Sequence, residues 1–419
     1  MSNYVETAEN CESDFESDWI SVTAAQTHIK QHITPLTDSI RRPLRDCLGQ
    51  VLAQSIISPI DVPGHTNSAM DGYALRGADL PDDETVSLKV IGKAMAGAAF
   101  SGRCNAGECV RIMTGAVMPE GTDSVVMQEQ SERLDSATVK IGVGHHKGQN
   151  VRYVGEDIAA GAEVFSAGRR IGSADLGVIA SFGIAEVSVK RKVRVAFFST
   201  GDELRSVGEI LGEGQIYDSN RYTLFGMLSQ LGVEIFDMGV VVDQAEAVAD
   251  AFATASAMAD VVITSGGVSV GEADYIKPAL RAMGSINFWK IAMKPGRPLT
   301  YGQLAGAHFF GLPGNPVAVM VTFLQFVKPA LLQLSGEAAR PALRINAVCQ
   351  SDIRKRPGRT EYQRGVYTQL ADGTLSVVLT GRQGSGILSS MSEANCLIVL
   401  DDDQGRVSVG DNVQLALLS

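Results

Sequence analysis

The sequence predicts an α/β multidomain protein in which one domain is built on a mostly parallel sheet. From Val193 onward, apolar runs alternate with helical patterns, and this alternation is typical of parallel sheets. Three of the apolar runs end in turns rich in Gly, Pro and polar residues: Val261–Ile263, Asn287–Trp289 and His308–Gly311. The chain has 419 residues, which is too many for a single hydrophobic core, so several domains are expected.

The region before Val193 divides into a tail, a helical region and an inserted domain. Residues 1–18 carry six carboxylates and no Lys or Arg, so we expect an acidic disordered tail. From Trp19 to Val51 the pattern is helical, with apolar residues at i, i+4 spacing: Leu36, Ile40, Leu44 and Leu48. We assign 19–57 to a linking domain together with 162–191, where Gly172–Gly183 has a helical pattern. Residues 58–161 are rich in glycine and short alternating runs, including the strand Val86–Val90, and predict a mainly β inserted domain.

Residues 192–341 are assigned to the α/β domain. Strands are predicted at Val193–Phe198, Val233–Val242 and Val261–Thr264, and helices at 218–231, 243–258 and 315–334. Asp218 is placed to cap the first of these helices, and Asp243-x-x-Glu246 has the form of a capping box for the second.

Residues 342–419 contain short strands separated by Gly and Asp turns, which predicts a small β-barrel or sandwich, and we favour the barrel. The predicted strands are Glu361–Tyr367, Leu375–Leu379, Cys396–Leu400 and Val413–Leu417.

Composition narrows the function classes. The formal net charge is −11, which argues against general nucleic-acid binding and requires a local basic patch for any anionic substrate. The six cysteines have no zinc-site spacing, so we expect reduced thiols. The acidic N-terminus does not resemble a secretory signal, and we read no apolar segment as long enough to span a membrane. A cytoplasmic protein that binds no membrane is therefore expected.

Ligand chemistry is predicted after the strand at Val261–Thr264. The turn there offers bare backbone N–H groups suited to an anion, from Ser265, Gly266, Gly267 and Ser269. Asp274 follows on the next helix, and positive charge comes from Lys290, Lys294 and Arg297. An anion cradle with a carboxylate and cations predicts phosphate chemistry with a metal ion, because only a cation reconciles the carboxylate with phosphate.

Several motifs in order resemble one family. They are Asp61-Val-Pro-Gly-His-Thr-Asn-Ser-Ala-Met-Asp71-Gly-Tyr-Ala, Arg111-Ile-Met-Thr114-Gly-Ala, Gly155-Glu-Asp157-Ile, Ser199-Thr-Gly-Asp-Glu203-Leu, Ile216-Tyr-Asp218-Ser-Asn220, the Ser265–Asp274 segment, Lys294-Pro-Gly-Arg-Pro and Leu312-Pro-Gly-Asn-Pro316. Together they resemble the molybdopterin molybdenumtransferases of the MoeA family, which share their fold with the gephyrin E domain. The resemblance covers nearly the whole chain after the acidic tail.

The resemblance implies an activity and its partners. The family inserts molybdate into adenylylated molybdopterin with Mg²⁺-dependent release of AMP, which gives the molybdenum cofactor. It implies an α/β domain of the molybdopterin-binding type, a linking region that mediates dimerisation, a homodimer, and transient contact with other proteins of cofactor synthesis.

The resemblance also implies roles for particular residues. Asp71, Thr114, Glu203 and Asp274 are expected in catalysis, and Asp243 and Asp274 as Mg²⁺ ligands. Substrate binding is expected from Arg152, Asp157, Lys290, Lys294, Arg297, Pro313, Pro316 and Ser385 besides the glycine turn. Arg297 stands where relatives often carry Lys, which keeps the charge and changes its geometry.

Simpler structural roles compete with some of these assignments. The capping box explains Asp243 without any chemistry, and Pro313 and Pro316 would make a rigid turn in any case. Two other functions also stay open from the sequence. One is the molybdopterin adenylyltransferase, whose glycine turn typically reads closer to Thr-Gly-Gly-Thr-Gly, and the other is a non-catalytic, gephyrin-like scaffold.

Overall fold

The computed structural model describes residues 19–266, 284–339 and 341–418. The chain forms two compact units. One contains the residues up to Ile40, Gly49–Val51 and the chain from Lys190 onward, and the other contains Arg41–Leu48 and Leu52–Val189. We call them the sheet-and-barrel unit and the inserted unit.

The sheet-and-barrel unit is organised around a seven-stranded sheet. In spatial order its strands are Trp19–Ile20, Gly284–Ile291, Pro298–Leu304, Ala307–Leu312, Val261–Ser265, Arg194–Thr200 and Glu234–Val241. Of these, Pro298–Leu304 runs antiparallel to both of its neighbours, and the other pairings are parallel. The predicted mostly parallel sheet is confirmed.

Consecutive residues of the central strands pack into two different cores. Phe197 and Phe310 belong to the core on one face of the sheet, whereas Phe198 and Phe309 belong to the core on the other. Successive side chains of a strand point to opposite faces, so a strand that is covered on both faces must be apolar throughout. This is why these strands appear in the sequence as continuous apolar runs.

Helices cover both faces of the sheet. Ser219–Leu231 packs on one face and Ala245–Met258 on the other, and Val22–His32 joins the first of these layers. Asp218 caps the helix Ser219–Leu231 as predicted, because its side chain accepts a hydrogen bond from the Arg221 N–H at 3.1 Å.

Two local predictions about helices are wrong. The helix predicted through Leu48 ends at His32, and the chain then forms the strand Ser39–Pro43 and the 3-10 turn Leu44–Cys47. Pro35 and Pro43 oppose a helix there, because proline disfavours helical geometry in the residue before it. The predicted capping box at Asp243 is also absent, since the helix Ala245–Met258 is preceded by Gln244, which makes no side-chain cap.

The predicted helix over 315–334 is present and lies in the core. It runs as Pro316–Thr322, a π-helical turn at Phe323–Val327, and Lys328–Leu334. This segment has 19 residues and a mean hydropathy of 1.7, so by length and composition alone it could cross a membrane. The expectation that no apolar segment is long enough to do so is therefore wrong. Of this segment 61% is buried inside the protein, and core packing accounts for its apolar character.

The C-terminal strands close into a small barrel, which confirms that prediction. Around the barrel they are Thr360–Gln369, Leu375–Leu379, Ile345–Cys349, Asn412–Leu417 and Cys396–Leu400, which pairs back onto Thr360–Gln369. Along the chain, the short helix Ser389–Glu393 comes just before the strand Cys396–Leu400. The strand Met293–Lys294 joins Thr360–Gln369 in parallel, so the barrel is attached directly beside the large sheet.

The inserted unit is mainly β, as predicted. Its six-stranded sheet contains, in spatial order, Ser124–Met127, Gly72–Leu75, Glu108–Ile112, Val86–Ala94, Thr138–Ile141 and Ser131–Arg133. Two short pairs join Asn67–Ser68 to Val151–Arg152 and Ile56–Ile57 to Glu163–Phe165. The helix Ser173–Ser181 lies within the predicted pattern Gly172–Gly183. The residue boundaries proposed for the separate domains stay predictions.

The buried imidazole of His308 predicts that the sheet-and-barrel unit loses stability in mild acid. Burial lowers the pKa of His308, the Asp260 carboxylate partly opposes that effect, and His32 adds to it. The ring stacks on Tyr301, whose hydroxyl lies 3.4 Å from His308 Nδ1. Because its pKa is lowered, His308 is favoured in its neutral form in the folded state. The stability that the neutral ring contributes to the fold is fully present above the unfolded pKa of about 6.5 and is lost as the pH falls through the folded pKa.

Urea denaturation followed by tryptophan fluorescence tests this, because Trp19 and Trp289 both belong to that unit. The free energy of unfolding should fall between about pH 7 and about pH 5, and less steeply in His308→Gln. The matched control is His146→Gln, which changes an exposed histidine of the inserted unit and should keep the wild-type slope. Equal slopes in the wild type and His308→Gln would contradict the assignment.

Candidate functional site

A cleft of about 1110 Å³ lies at the carboxyl ends of the parallel strands. Several of the residues that line it follow directly after the strands Arg194–Thr200, Glu234–Val241, Val261–Ser265 and Ala307–Leu312. The barrel contributes Arg359 and the loop 383–385 to the lining. Crevices at the carboxyl ends of open α/β sheets are the usual ligand sites of such folds.

Most of the predicted site residues of the sheet-and-barrel unit line this cleft. They are Glu203, Asp243, Ser265, Gly266, Lys294, Arg297, Pro313, Pro316 and Ser385. Lys290 is not among the lining residues; it lies in the strand Gly284–Ile291, opposite Trp19 on one side and Pro298 on the other. Gly267, Ser269 and Asp274 lie outside the described residues. Their assigned roles stay predictions.

Positive charge collects on one side of the cleft. Lys294 and Arg297 come from the turn between two sheet strands, and both are exposed. Arg359 comes from the start of a barrel strand, and its Nε lies 3.4 Å from Oε1 of the buried Glu361. Pairing of Met293–Lys294 with the strand Thr360–Gln369 is what brings the two sources of cation together. This wall suits an anionic ligand in an otherwise acidic protein.

Carboxylates also line the cleft, after other strands. Glu203 follows the strand Arg194–Thr200, and Asp243 follows Glu234–Val241. Asp218 is 3% exposed; one of its oxygens caps the helix, and the other, Oδ2, is buried without a hydrogen-bond partner among the described residues. These oxygens are hard donors, which Mg²⁺ prefers.

A hydrogen-bond network ties three turns together at the floor of the cleft. The Asn220 side-chain amide donates to Ser265 Oγ at 2.8 Å and to the Gly314 carbonyl at 2.7 Å. Within the described part of the chain, Asn220 Oδ1 and Thr200 Oγ1 are buried and have no hydrogen-bond partner. Buried polar atoms are normally satisfied, so these acceptors favour a polar ligand or water at this position.

The proline turn and the barrel loop are joined by the backbone. Asn315 precedes the helix Pro316–Thr322, which begins with proline at its first position, so the predicted rigid turn is present. The Val317 N–H donates to the Ser385 carbonyl at 3.0 Å, which fixes the barrel loop against the start of this helix.

A buried arginine secures the same loop from the other side. Arg364 is 1% exposed, and it donates from Nε to Ser390 Oγ at 3.0 Å and from Nη2 to the Gly384 carbonyl at 3.0 Å. Burial lowers the pKa of Arg364 to about 10, so it stays protonated at neutral pH. Ser385 is thus held at the cleft by contacts on both of its neighbouring segments.

The inserted unit carries the other predicted residues. Asp71 Oδ1 accepts hydrogen bonds from the Thr114 N–H at 2.7 Å and the Thr114 hydroxyl at 2.8 Å. The backbone bond and then the side-chain bond from Thr114 lower the pKa of Asp71, so the carboxylate stays ionised. Arg152 is exposed opposite Asn67, and the exposed Asp157 donates its N–H to the Val62 carbonyl at 3.0 Å. The structure therefore brings Asp71 and Thr114 into one pair.

Metal and thiol chemistry can be tested against these residues. Among the described residues there is no group of three or more His, Cys, Asp or Glu side chains able to hold a metal ion. A cation at the cleft would therefore depend on one or two carboxylates and on ligand oxygens, which is how Mg²⁺ is commonly held.

The described cysteines are buried free thiols, and burial raises the pKa of Cys109 to about 12, which makes it a poor nucleophile.

Some lining residues were missed from the sequence. Asn220 and Asp218 stand in the motif Ile216-Tyr-Asp-Ser-Asn220, but the sequence predicts only a helix cap for Asp218 and no role for Asn220. Arg359 and Gln383 come from the barrel, and nothing in their local pattern connects them to the sheet. The basic run Arg354-Lys355-Arg356 just before Arg359 is the one signal that would have drawn attention to this segment.

Comparison with known proteins gives a consistent family. Family models match residues 20–183 (MoeA N-terminal region, domains I and II), 196–333 (probable molybdopterin binding domain) and 346–418 (MoeA C-terminal region, domain IV). A molybdopterin molybdenumtransferase of Haemophilus influenzae is 43% identical over 373 residues, covering 89% of this chain and 92% of the relative. One from a Nostoc species is 37% identical, covering 87% and 85%.

Two further similarities extend the comparison. Gephyrin of Dictyostelium discoideum is 31% identical over 92% of this chain, which corresponds to 62% of gephyrin. The crystal structure of the molybdopterin biosynthesis moeA protein of Pyrococcus horikoshii OT3 has a TM-score of 0.83 and 28% identity, and the match covers 95% of this chain and 100% of that chain.

A substitution at Gly266 tests how closely the turn after Val261–Ser265 approaches Thr200. Its φ is +88°, and a Cβ at this position would lie 2.7 Å from the Thr200 carbonyl oxygen. Gly266→Ala should therefore cost more than the roughly 1–2 kcal/mol of left-handed backbone strain alone, and it should weaken binding of inorganic pyrophosphate. The matched control is Gly232→Ala, where φ is +69° but nothing lies within 4 Å.

The measurements are urea denaturation and calorimetric titration with pyrophosphate. Gly232→Ala should lose only the strain energy and keep the wild-type affinity for pyrophosphate. Equal losses of stability and equal affinities in the two variants would contradict the close approach of Gly266 and Thr200.

Proposed function

This chain belongs to the MoeA family of molybdopterin molybdenumtransferases, and from that premise we propose that it inserts molybdate into adenylylated molybdopterin with Mg²⁺-dependent release of AMP. The family membership itself makes the protein a transferase of molybdenum-cofactor synthesis. One observation carries the finer proposal: a single cleft at the carboxyl ends of the sheet is lined by both cations and carboxylates. An anionic substrate and a divalent cation together would satisfy both kinds of charge.

The cationic wall would bind the oxyanions of the reaction. Lys294, Arg297 and Arg359 present positive charge to the same space, and arginine donors suit tetrahedral oxyanions such as phosphate and molybdate. In the turn at Ser265 and Gly266, the Gly266 N–H already donates to the Leu312 carbonyl at 3.3 Å, so the prediction of a bare N–H at Gly266 is wrong. The Ser265 hydroxyl, which accepts from the Asn220 amide, would instead donate to a phosphate group. Asn220 would keep this turn in place, because its amide is already bonded to Ser265 Oγ and the Gly314 carbonyl.

The carboxylates would hold Mg²⁺ against the substrate phosphates. Asp243 lines the cleft, and its carboxylate oxygens are hard donors of the kind that Mg²⁺ prefers. Asp274 completes the proposed pair and lies outside the described residues. When bound, Mg²⁺ would neutralise charge on the pyrophosphate and polarise the bond that releases AMP.

A homodimer would assemble the complete site. The predicted residues belong to two units, with Asp71 and Thr114 in the inserted unit and the cleft in the other. Apolar side chains are exposed around residues 207–225, including Ile210 at 94% and Phe225 at 50%. Exposed apolar surface of this kind favours burial against a second copy. We place this dimer in the cytoplasm, where the free thiols would stay reduced.

Asp243→Asn tests the proposed metal-dependent step. Purified protein with adenylylated molybdopterin, molybdate and Mg²⁺ should release AMP, and excess chelator should stop the release. Asp243→Asn should slow AMP release by at least about tenfold, because an amide oxygen is a weaker ligand than a carboxylate. Asp250→Asn changes an exposed carboxylate on the following helix and should leave the rate unchanged. Undiminished AMP release in Asp243→Asn or in chelator would contradict the proposal.

Mixed dimers test whether one site draws on two chains. Asp71→Ala and Asp243→Ala homodimers should both be inactive. In a purified heterodimer of the two variants, one of the two sites would keep both carboxylates, so about half of the wild-type activity should return. An inactive heterodimer of verified composition would place Asp71 and Asp243 of each site on the same chain.

A further inference from the structure

The first described residue of the chain lies against one of the cleft cations. The Arg297 guanidinium carbon is 4.6 Å from the centre of the Trp19 ring. A cation over an aromatic face at this distance is attracted by the ring's negative face, and Arg also stacks on it through its planar group. Trp19 does not line the cleft, whereas Arg297 does.

Both partners of this contact are fixed by backbone hydrogen bonds. Trp19–Ile20 is a strand of the large sheet, with Trp19 opposite Lys290, and the Ala292 N–H donates to the Ile20 carbonyl at 2.8 Å. The Ile291 N–H donates to the Arg297 carbonyl at 2.7 Å, which closes the turn that carries the guanidinium. The ring and the arginine backbone are therefore held in one arrangement by the same edge of the sheet.

An aromatic ring orients a guanidinium in a different way than a carboxylate partner does. Arg359, on the same wall, has its Nε 3.4 Å from the Glu361 carboxylate, which uses a donor and offsets part of the charge. A ring beneath the guanidinium plane leaves the in-plane N–H donors and the full positive charge available to a ligand. Of the two cleft arginines, Arg297 would thus offer an anion the charge that no ion pair with a carboxylate of the described residues offsets.

We infer that Trp19 is a positioning residue that orients Arg297 and thereby sets the affinity of the cleft for a tetrahedral oxyanion. The inference rests on the proposed function for the identity of that anion, which is molybdate. It goes beyond that function because Trp19 comes from the edge strand at the start of the sheet and touches no ligand itself. The effect is confined to binding: Trp19 should change the dissociation constant of the oxyanion without taking part in the release of AMP.

A double-mutant cycle on molybdate binding tests the inference. The dissociation constant of molybdate is measured by calorimetry for the wild type, Trp19→Leu, Arg297→Ala and the double variant. Trp19→Leu should weaken binding by about three- to tenfold in the wild-type background. In the Arg297→Ala background the same substitution should change the dissociation constant by less than about 1.5-fold, because the group that it orients is gone.

Two further variants separate orientation from folding. Trp19→Phe keeps an aromatic face and should retain most of the affinity, whereas Trp19→Met keeps apolar volume without a ring and should behave like Trp19→Leu. Ile20→Ala is the matched control, because it removes apolar contact from the next residue of the same strand. It should lower the melting temperature and leave molybdate affinity unchanged.

The outcomes distinguish this inference from the proposed reaction. Equal effects of Trp19→Leu in both backgrounds, or an equal loss of affinity in Ile20→Ala, would overturn the positioning role. Failure of the wild type to bind molybdate would overturn it too, even if AMP were released. Coupling between Trp19 and Arg297 in a protein that releases no AMP would support the inference and contradict the proposed reaction, because binding is measured without the pterin substrate.

Discussion

Parallel pairing of the strands is the constraint on which the cleft depends. Because Arg194–Thr200, Glu234–Val241, Val261–Ser265 and Ala307–Leu312 run in the same direction, the turns that follow them all lie at one edge of the sheet. Arg194–Thr200, Val261–Ser265 and Ala307–Leu312 are buried almost throughout, so the exposed polar groups of the site come from the turns that follow them. The Asn220 amide then joins two of these turns, and the glycine at 266 lets one of them approach Thr200 closely.

The positive charge that an anionic ligand needs comes from the cleft itself. With a net charge of −11, long-range attraction would not draw a polyanion to the molecule, so the cleft must supply its own positive wall. The cations of that wall come from two parts of the fold, the sheet turn and the barrel, and each arginine has a different partner. Carboxylates on the other turns that line the cleft would repel a phosphate ligand by themselves, and a divalent cation would remove that conflict.

The sequence predicted the parts of this structure that are encoded locally. Buried strands, the helix cap at Asp218 and the small barrel follow from apolar runs and turn residues, and most of the α/β site residues stand directly after such runs. The failures have physical causes. The spacing of Leu36 and Ile40 imitates a helix that nearby prolines forbid, and Asp243 has the sequence form of a cap that the backbone does not use.

Long-range contacts account for what could not be predicted. Arg359 and Gln383 reach the cleft only because the strand Met293–Lys294 pairs with the barrel, and Trp19 reaches Arg297 only because a two-residue strand joins the sheet edge. Tertiary pairings of this kind depend on register between distant segments, and no single local pattern records them.

Crystals grown with AMP, molybdate and Mg²⁺ would test the central claim most directly, with diffraction collected at the molybdenum absorption edge. The account predicts an anomalous molybdenum peak within hydrogen-bond reach of Lys294, Arg297 and Arg359, with the AMP phosphate near the turn at Ser265 and Gly266. Molybdenum and AMP bound together at another surface, with the cleft occupied only by water, would contradict it.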